Sequence, residues 1–99
     1  MSGDFSYRHL YYFWVVAKEG SITSAATRLG MAVQTVSTQV RELEKSLGQI
    51  LLKPAGRGLA LTEAGHAAAH QADQIFALGA QLPALVRDAV IAPQVRHRR

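Results

Sequence analysis

Residues 23–47 read TSAATRLGMAVQTVSTQVRELEKSL, and the reading of this stretch decides the fold. Val36, Val40, Leu43 and Leu47 recur at i, i+4, i+7 and i+11, one apolar stripe on an α-helix. Gln34, Thr38, Arg41 and Lys45 fall on the opposite side, which carries donors, acceptors and cations with almost no apolar bulk. A shorter helical segment, Thr23 to Leu29, precedes it across Gly30-Met31-Ala32. Ala25 and Ala26 permit close approach of the two helices, and Gly30 can take a positive φ without a Cβ clash. Two short helices joined by a tight glycine-containing turn, the second polar outside, describe a helix-turn-helix. An ordinary pair of packed helices inside another helical domain is the blander alternative.

Working outward, Ser6 is placed to cap a first helix that carries Leu10, Phe13, Trp14 and Ala17 at i, i+3, i+4 and i+7. Tyr11, Tyr12, Val15 and Val16 make it apolar on nearly all sides, which calls for cover on two faces. Either a second subunit supplies that cover or the tyrosines stay exposed beside a normal core. Downstream, Ile50–Lys53 and Leu59–Leu61 flank Pro54-Ala55-Gly56-Arg57-Gly58, the pattern of a small β-hairpin, or wing, with Arg57 near its tip. Thr62 and Glu63 suit the start of a long helix whose apolar face includes Ala68, Ala72, Ile75, Phe76, Gly79, Leu82 and Val86. Pro83 is expected to kink or end that helix, because it lacks the N–H that a helix interior uses. The tail Gln94–Arg99 is basic, has no apolar period, and is expected to be disordered.

With 99 residues, 48% apolar and 18% charged, the chain can fold around one modest core. It contains no cysteine, which excludes disulfides, thiolate chemistry and Cys-based zinc sites. The longest apolar run, Leu10 to Ala17, is too short to span a bilayer, and the N-terminus has no signal-peptide pattern. The net charge of +4 is unevenly spread. From Arg8 to Arg57 the basic residues Arg8, Lys18, Arg28, Arg41, Lys45, Lys53 and Arg57 stand against only Glu19, Glu42 and Glu44, whereas from Thr62 to Ala92 Glu63, Asp73 and Asp88 outnumber Arg87. A basic patch beside a helix-turn-helix is the footprint of a polyanion partner.

Several motifs are individually weak and jointly specific. Leu10-Tyr11-Tyr12-Phe13, Glu19-Gly20-Ser21, Ala25-Ala26, Val36-Ser37-Thr38-Gln39-Val40, Leu43-Glu44, Leu47-Gly48 and Leu61-Thr62-Glu63-Ala64-Gly65 follow one another in order. From about Tyr7 to Leu82 the chain resembles the N-terminus of LysR-type transcriptional regulators. The runs 9–21, 51–65 and 72–79 look closer to the branch that contains the activator of sodium/proton antiporter genes. The resemblance implies a mainly α fold: a winged helix-turn-helix over 1–62, with a three-helix core and a hairpin wing, then a linker and dimerisation helix over 63–92 and a tail over 93–99. It also implies a homodimer or higher homo-oligomer on an interrupted palindrome in bacterial promoter DNA. A C-terminal effector domain, which would bind a small-molecule inducer, is expected to lie outside this chain. Three departures stand out: Ala32 where a capping Ser or Thr is common, Val33-Gln34 where a proline is frequent, and Pro83 within the linker.

A helix lying in the major groove presents its N-terminal residues to base edges first. That gives Gln34 a bidentate match to adenine, and gives Thr35 and Thr38 a base, a thymine methyl or a phosphate. Ser37 suits phosphate or the local backbone, and Arg41 suits phosphate. Thr23, Ser24, Lys53 and Arg57 are expected on the DNA backbone, with Arg57 able to reach phosphate or the narrow minor groove. The expected dimerisation set is Tyr11, Trp14, Ala68, Ala72, Ile75, Phe76, Gly79 and Leu82. His66 and His70 stand at i, i+4, but no second ligand element supports a metal, and neither a metal nor a cofactor is expected. No nucleophile–base–acid set suggests an enzyme. The expected setting is a bacterial cytoplasm, associated with the nucleoid. The rival reading is a helical protein–protein interaction module without specific DNA binding. RNA binding is disfavoured, because the aromatics stand at helical core spacing and not on a strand platform.

Overall fold

The computed structural model describes residues 4–91. Its elements are α1 (Tyr7–Glu19), α2 (Ile22–Leu29), α3 (Val33–Leu47), β1 (Leu52–Ala55), β2 (Gly58–Leu61) and α4 (Glu63–Ile91). This is the expected three-helix core, hairpin wing and long final helix. The expected disordered tail, 93–99, lies outside the described residues.

Each helix begins and ends for a local reason. The Ser6 hydroxyl accepts from the His9 amide (3.2 Å), and the Ser21 hydroxyl accepts from the Ser24 amide (3.0 Å), so α1 and α2 are both capped at their N-termini. Gly30 closes α2 at φ 68°, its amide donating to the Ala26 and Thr27 carbonyls. That is the turn expected between the two helices of the motif. α3 starts at Ala32, which has an N-cap backbone (φ −70°, ψ 146°) and no side-chain hydrogen bond, as its missing hydroxyl requires.

α1 is the hub: it packs against α2, α3 and α4. Leu10, Phe13, Val15 and Val16 meet Ala25 and Ala26 of α2, Val36, Val40 and Leu43 of α3, Leu51, and Ala72 of α4 in one buried cluster. The alanines of α2 and α4 are what let these helices come near α1. The surplus apolar surface of α1 is covered in part by α4 of the same chain. Phe76 stands 4.9 Å from the Trp14 ring and edge-on to Tyr11 at 5.4 Å. Tyr11 still keeps 40% of its surface exposed.

The wing differs from expectation by a few residues. Leu52 pairs with Leu61, Lys53 with Ala60, Pro54 with Leu59 and Ala55 with Gly58, so Pro54 and Ala55 lie in a strand and the turn is Gly56-Arg57 alone. Gly56 takes φ 58° while Arg57 does not have a positive φ, the sign pattern of a II′ turn, which matches strand twist. Pro54 is tolerated because a two-stranded ribbon has an outer edge on each strand that needs no donor.

The base of the wing is tied to its neighbours by side-chain hydrogen bonds. The Glu44 carboxylate, near the end of α3, accepts from the Leu51 and Leu52 amides at 2.8 and 3.3 Å. Thr62 donates its hydroxyl to the Ile50 carbonyl (2.6 Å) and accepts from the Gly65 amide (2.9 Å), capping α4 while pinning it to the wing. Gly65 sits so close to Leu51 that an added Cβ would lie 2.1 Å from the Leu51 carbonyl oxygen.

Of the two outcomes expected at Pro83, a kink or an end, the structure excludes the end: the helix runs on to Ile91 with Pro83 inside it. The proline removes one donor and leaves the Gly79 carbonyl without its i+4 partner. Gly79 and Pro83 are both exposed, so water can satisfy that carbonyl and the loss is tolerated.

Candidate nucleic-acid interface

The outward face of α3 follows from its inward one. Burial of Val36, Val40 and Leu43 fixes the helix rotation, which leaves Gln34, Thr35, Thr38 and Arg41 exposed and Ser37 half-buried at the margin. Ala32 and Val33, at the very start of the helix, are exposed as well. Ile22, Ser37, Arg41, Leu52 and Leu59 line one groove, so the start of α2, the flank of α3 and the base of the wing are adjacent. Thr23 and Ser24 are exposed on the first turn of α2, and Lys53 and Arg57 are exposed on the wing.

The cations divide into two groups. Arg28 is paired with Glu19 (3.0 Å), Lys45 with Glu42 (3.8 Å) and Lys18 with Asp73 (2.8 Å). Arg41, Lys53 and Arg57 have no carboxylate partner among the described residues, and neither do Arg8 of α1 and Arg87 of α4. The charges beside the polar face of α3 and on the wing are therefore available to an external anion, whereas Lys18, Arg28 and Lys45 each meet a carboxylate of the chain. Of the expected polyanion-facing set, the members on α2, α3 and the wing are thus exposed except Ser37, which is half-buried.

The expected dimerisation residues divide differently. Leu82 and Gly79 are exposed on the outer half of α4. Tyr11, Trp14 and Phe76 form the aromatic contact between α1 and α4, and Ala68 and Ile75 are half-buried against the core. Ala72 is fully buried within its own chain, so its side chain has no surface left to offer a second subunit. Leu78, Leu85, Val86 and Val90 add to the exposed apolar surface of the same outer half.

One network was invisible to periodicity. The Trp14 Nε1 donates to Asp73 Oδ1 at 2.7 Å, and Lys18 Nζ meets the same oxygen at 2.8 Å while lying 5.7 Å from the Trp14 ring centre. The hydrogen bonds from Lys18 and then Trp14 hold the Asp73 carboxyl below its ordinary value of 3.8. The contact links α1 to α4 and fixes how the long helix leaves the core. The polar face of α4 carries His66 and His70, and His70 is matched with Gln74 (3.3 Å between ring and amide nitrogens).

Residues 7–66 match a family described as bacterial regulatory helix-turn-helix protein, lysR family. Among curated proteins, the chain is 44% identical over 77 residues to the transcriptional activator protein NhaR of Escherichia coli (strain K12), an alignment covering 78% of this chain and 26% of that one. It is 40% identical over 72 residues to the HTH-type transcriptional regulator TcbR of Pseudomonas sp. (strain P51), covering 73% and 24%. It therefore spans about a quarter of the length of these relatives. Among solved structures, the DNA complex of the CbnR DNA-binding domain superposes with a TM-score of 0.78 at 36% identity, over 87% of this chain and 99% of that one. The BenM DNA-binding domain on its catB site 1 DNA superposes with a TM-score of 0.82 at 31% identity, over 88% and 98%.

Proposed function

This chain belongs to the lysR family of bacterial regulatory helix-turn-helix proteins, and on that premise we propose that it binds double-stranded DNA in transcription regulation. α3 lies in the major groove, with Gln34, Thr35 and Thr38 at base edges. Ser37, Arg41, Thr23 and Ser24 hold phosphates that set the register, and Lys53 and Arg57 of the wing take the backbone or the adjacent minor groove. The observation that carries this reading is that the three cations beside the polar face, Arg41, Lys53 and Arg57, are all exposed and have no carboxylate partner among the described residues. The protein works as a homodimer or higher homo-oligomer through the outer half of α4, on an interrupted palindrome. It acts in the bacterial cytoplasm without catalysis or cofactor, and any inducer binds through a separate effector domain.

Selection from a random DNA pool tests the reading, combined with a salt titration of the winning sequence. Specific enrichment with affinity falling steeply in salt is expected, because phosphate neutralisation releases counterions. No enrichment and a flat salt response would favour the helical protein–protein module. Within the interface, Gln34→Ala or Thr38→Ala is expected to relax preference at one or two base pairs, at roughly 1–3 kcal/mol for a good contact. Lys53→Ala or Arg57→Ala should weaken all sequences alike and lower the salt slope. Indistinguishable profiles for the two sets would refute the division into reading and positioning residues.

A further inference from the structure

Val33 is 44% exposed, the one large apolar side chain of α3 that stands open to solvent among the described residues. Periodicity alone would assign it elsewhere. It lies three residues before Val36 and seven before Val40, a spacing that continues the core stripe toward the N-terminus. The structure ends the core at Val36, which is fully buried, and leaves Val33 outside it. Ala32, next to it, is exposed and offers the helix start no hydroxyl. The first turn of α3 therefore presents two adjacent apolar side chains followed by the polar pair Gln34 and Thr35.

Resting on the reading that α3 enters the major groove, we propose that Val33 is a specificity-determining residue that reads the 5-methyl group of a thymine. The chemistry is selective in that groove. Of the four bases, thymine alone presents a methyl there, while the other edges present hydrogen-bond donors and acceptors. An exposed valine has neither donor nor acceptor, so set against a polar base edge it would desolvate that edge without compensation. Set against a thymine methyl, it removes apolar surface of both partners from water. Its position at the helix start puts it where a recognition helix comes nearest to base edges. The branched side chain is stiff at χ1, so little rotamer freedom is lost on contact.

The test uses the DNA sequence selected from a random pool, with each thymine of one half-site replaced in turn by deoxyuridine, which deletes the methyl and leaves base pairing unchanged. At one thymine the replacement is expected to weaken the wild-type protein about fivefold, the value of one buried apolar carbon. Val33→Ala, a change at an exposed site that retains helix propensity, is expected to bind the thymine and deoxyuridine forms alike. The inference is overturned if no single methyl matters to the wild type, or if Val33→Ala stays as sensitive as the wild type. Failure to select any sequence overturns the DNA-binding reading as well, whereas tight, salt-sensitive binding indifferent to every methyl overturns this inference alone.

Discussion

A methyl group at position 65 would collide with the carbonyl of Leu51, whose oxygen lies 2.1 Å from where a Cβ must go. Neither partner can rotate away, since one is backbone and the other is bonded directly to backbone. Gly65→Ala is therefore expected to cost roughly 1–3 kcal/mol as the wing and α4 are forced apart, read as a lower midpoint in chemical denaturation. An unchanged midpoint would show that the junction yields freely. In the sequence Gly65 was part of a motif, but its reason was not legible, because the clash involves a carbonyl fourteen residues away. The same holds for Glu44, whose bonds to the Leu51 and Leu52 amides make it an anchor for the wing. Gln34, Thr38 and Arg41 were legible as exposed because they stand opposite a stripe that had to be buried. Val33 was not, since it shares the phase of that stripe.

At the scale of elements, helix positions could be read from apolar spacing and caps, while strand ends could not. Gly56 alone supplies the positive φ of the wing turn, so β1 reaches two residues and β2 one residue further toward the tip than the Pro54–Gly58 cluster suggested. Pro83 was expected to kink or end α4, and the helix does not end there. The Gly79 carbonyl that Pro83 leaves without its donor lies on an exposed stretch of the helix. The start of α3 offers a direct test of local energetics, since Ala32 has an N-cap backbone and lacks an acceptor. Ala32→Ser should stabilise the fold by about 1 kcal/mol, visible as a raised thermal midpoint. No gain would mean that the first turn is already satisfied.

The bond between α1 and α4 predicts a response to acid. The Asp73 carboxyl has its folded value held below the ordinary 3.8 by Lys18 and Trp14. Its stabilising effect is fully present above that ordinary value and disappears as the pH falls through the lower folded one. Asp73→Asn should lower the melting temperature near neutrality and narrow the difference between neutral and strongly acidic solutions. A variant that loses as much between those conditions as the wild type would remove Asp73 from this role. No sequence pattern announced the contact, because Trp14 and Asp73 are 59 residues apart and each fits an unremarkable place on its own helix.

For the whole molecule, the open question of assembly falls on the outer half of α4. Leu78, Leu82, Leu85, Val86 and Val90 are each more than half exposed, an apolar run that the other described residues do not cover. Leu82→Asp is the informative change, because Leu82 lies outside the buried core and its packed fringe, whereas Phe76 also holds α1. Sedimentation should show the wild type as a dimer and Leu82→Asp as a folded monomer with much weaker DNA affinity. A monomeric wild type at high micromolar concentration would refute the assembly. The molecule is 56 × 32 × 20 Å, and its elongation has a mechanical meaning. α4 meets the core through Ala72, Ile75 and Phe76, then projects from Ala77 to Ile91 for about 22 Å without packing against the core of the described residues. It is a lever with its fulcrum at the Trp14–Phe76 stack, so a tilt of about 10° there carries the far tip through about 4 Å. One extra methyl at Ala72, buried under that fulcrum, would be amplified at the tip into a displacement comparable to the rise between neighbouring base pairs.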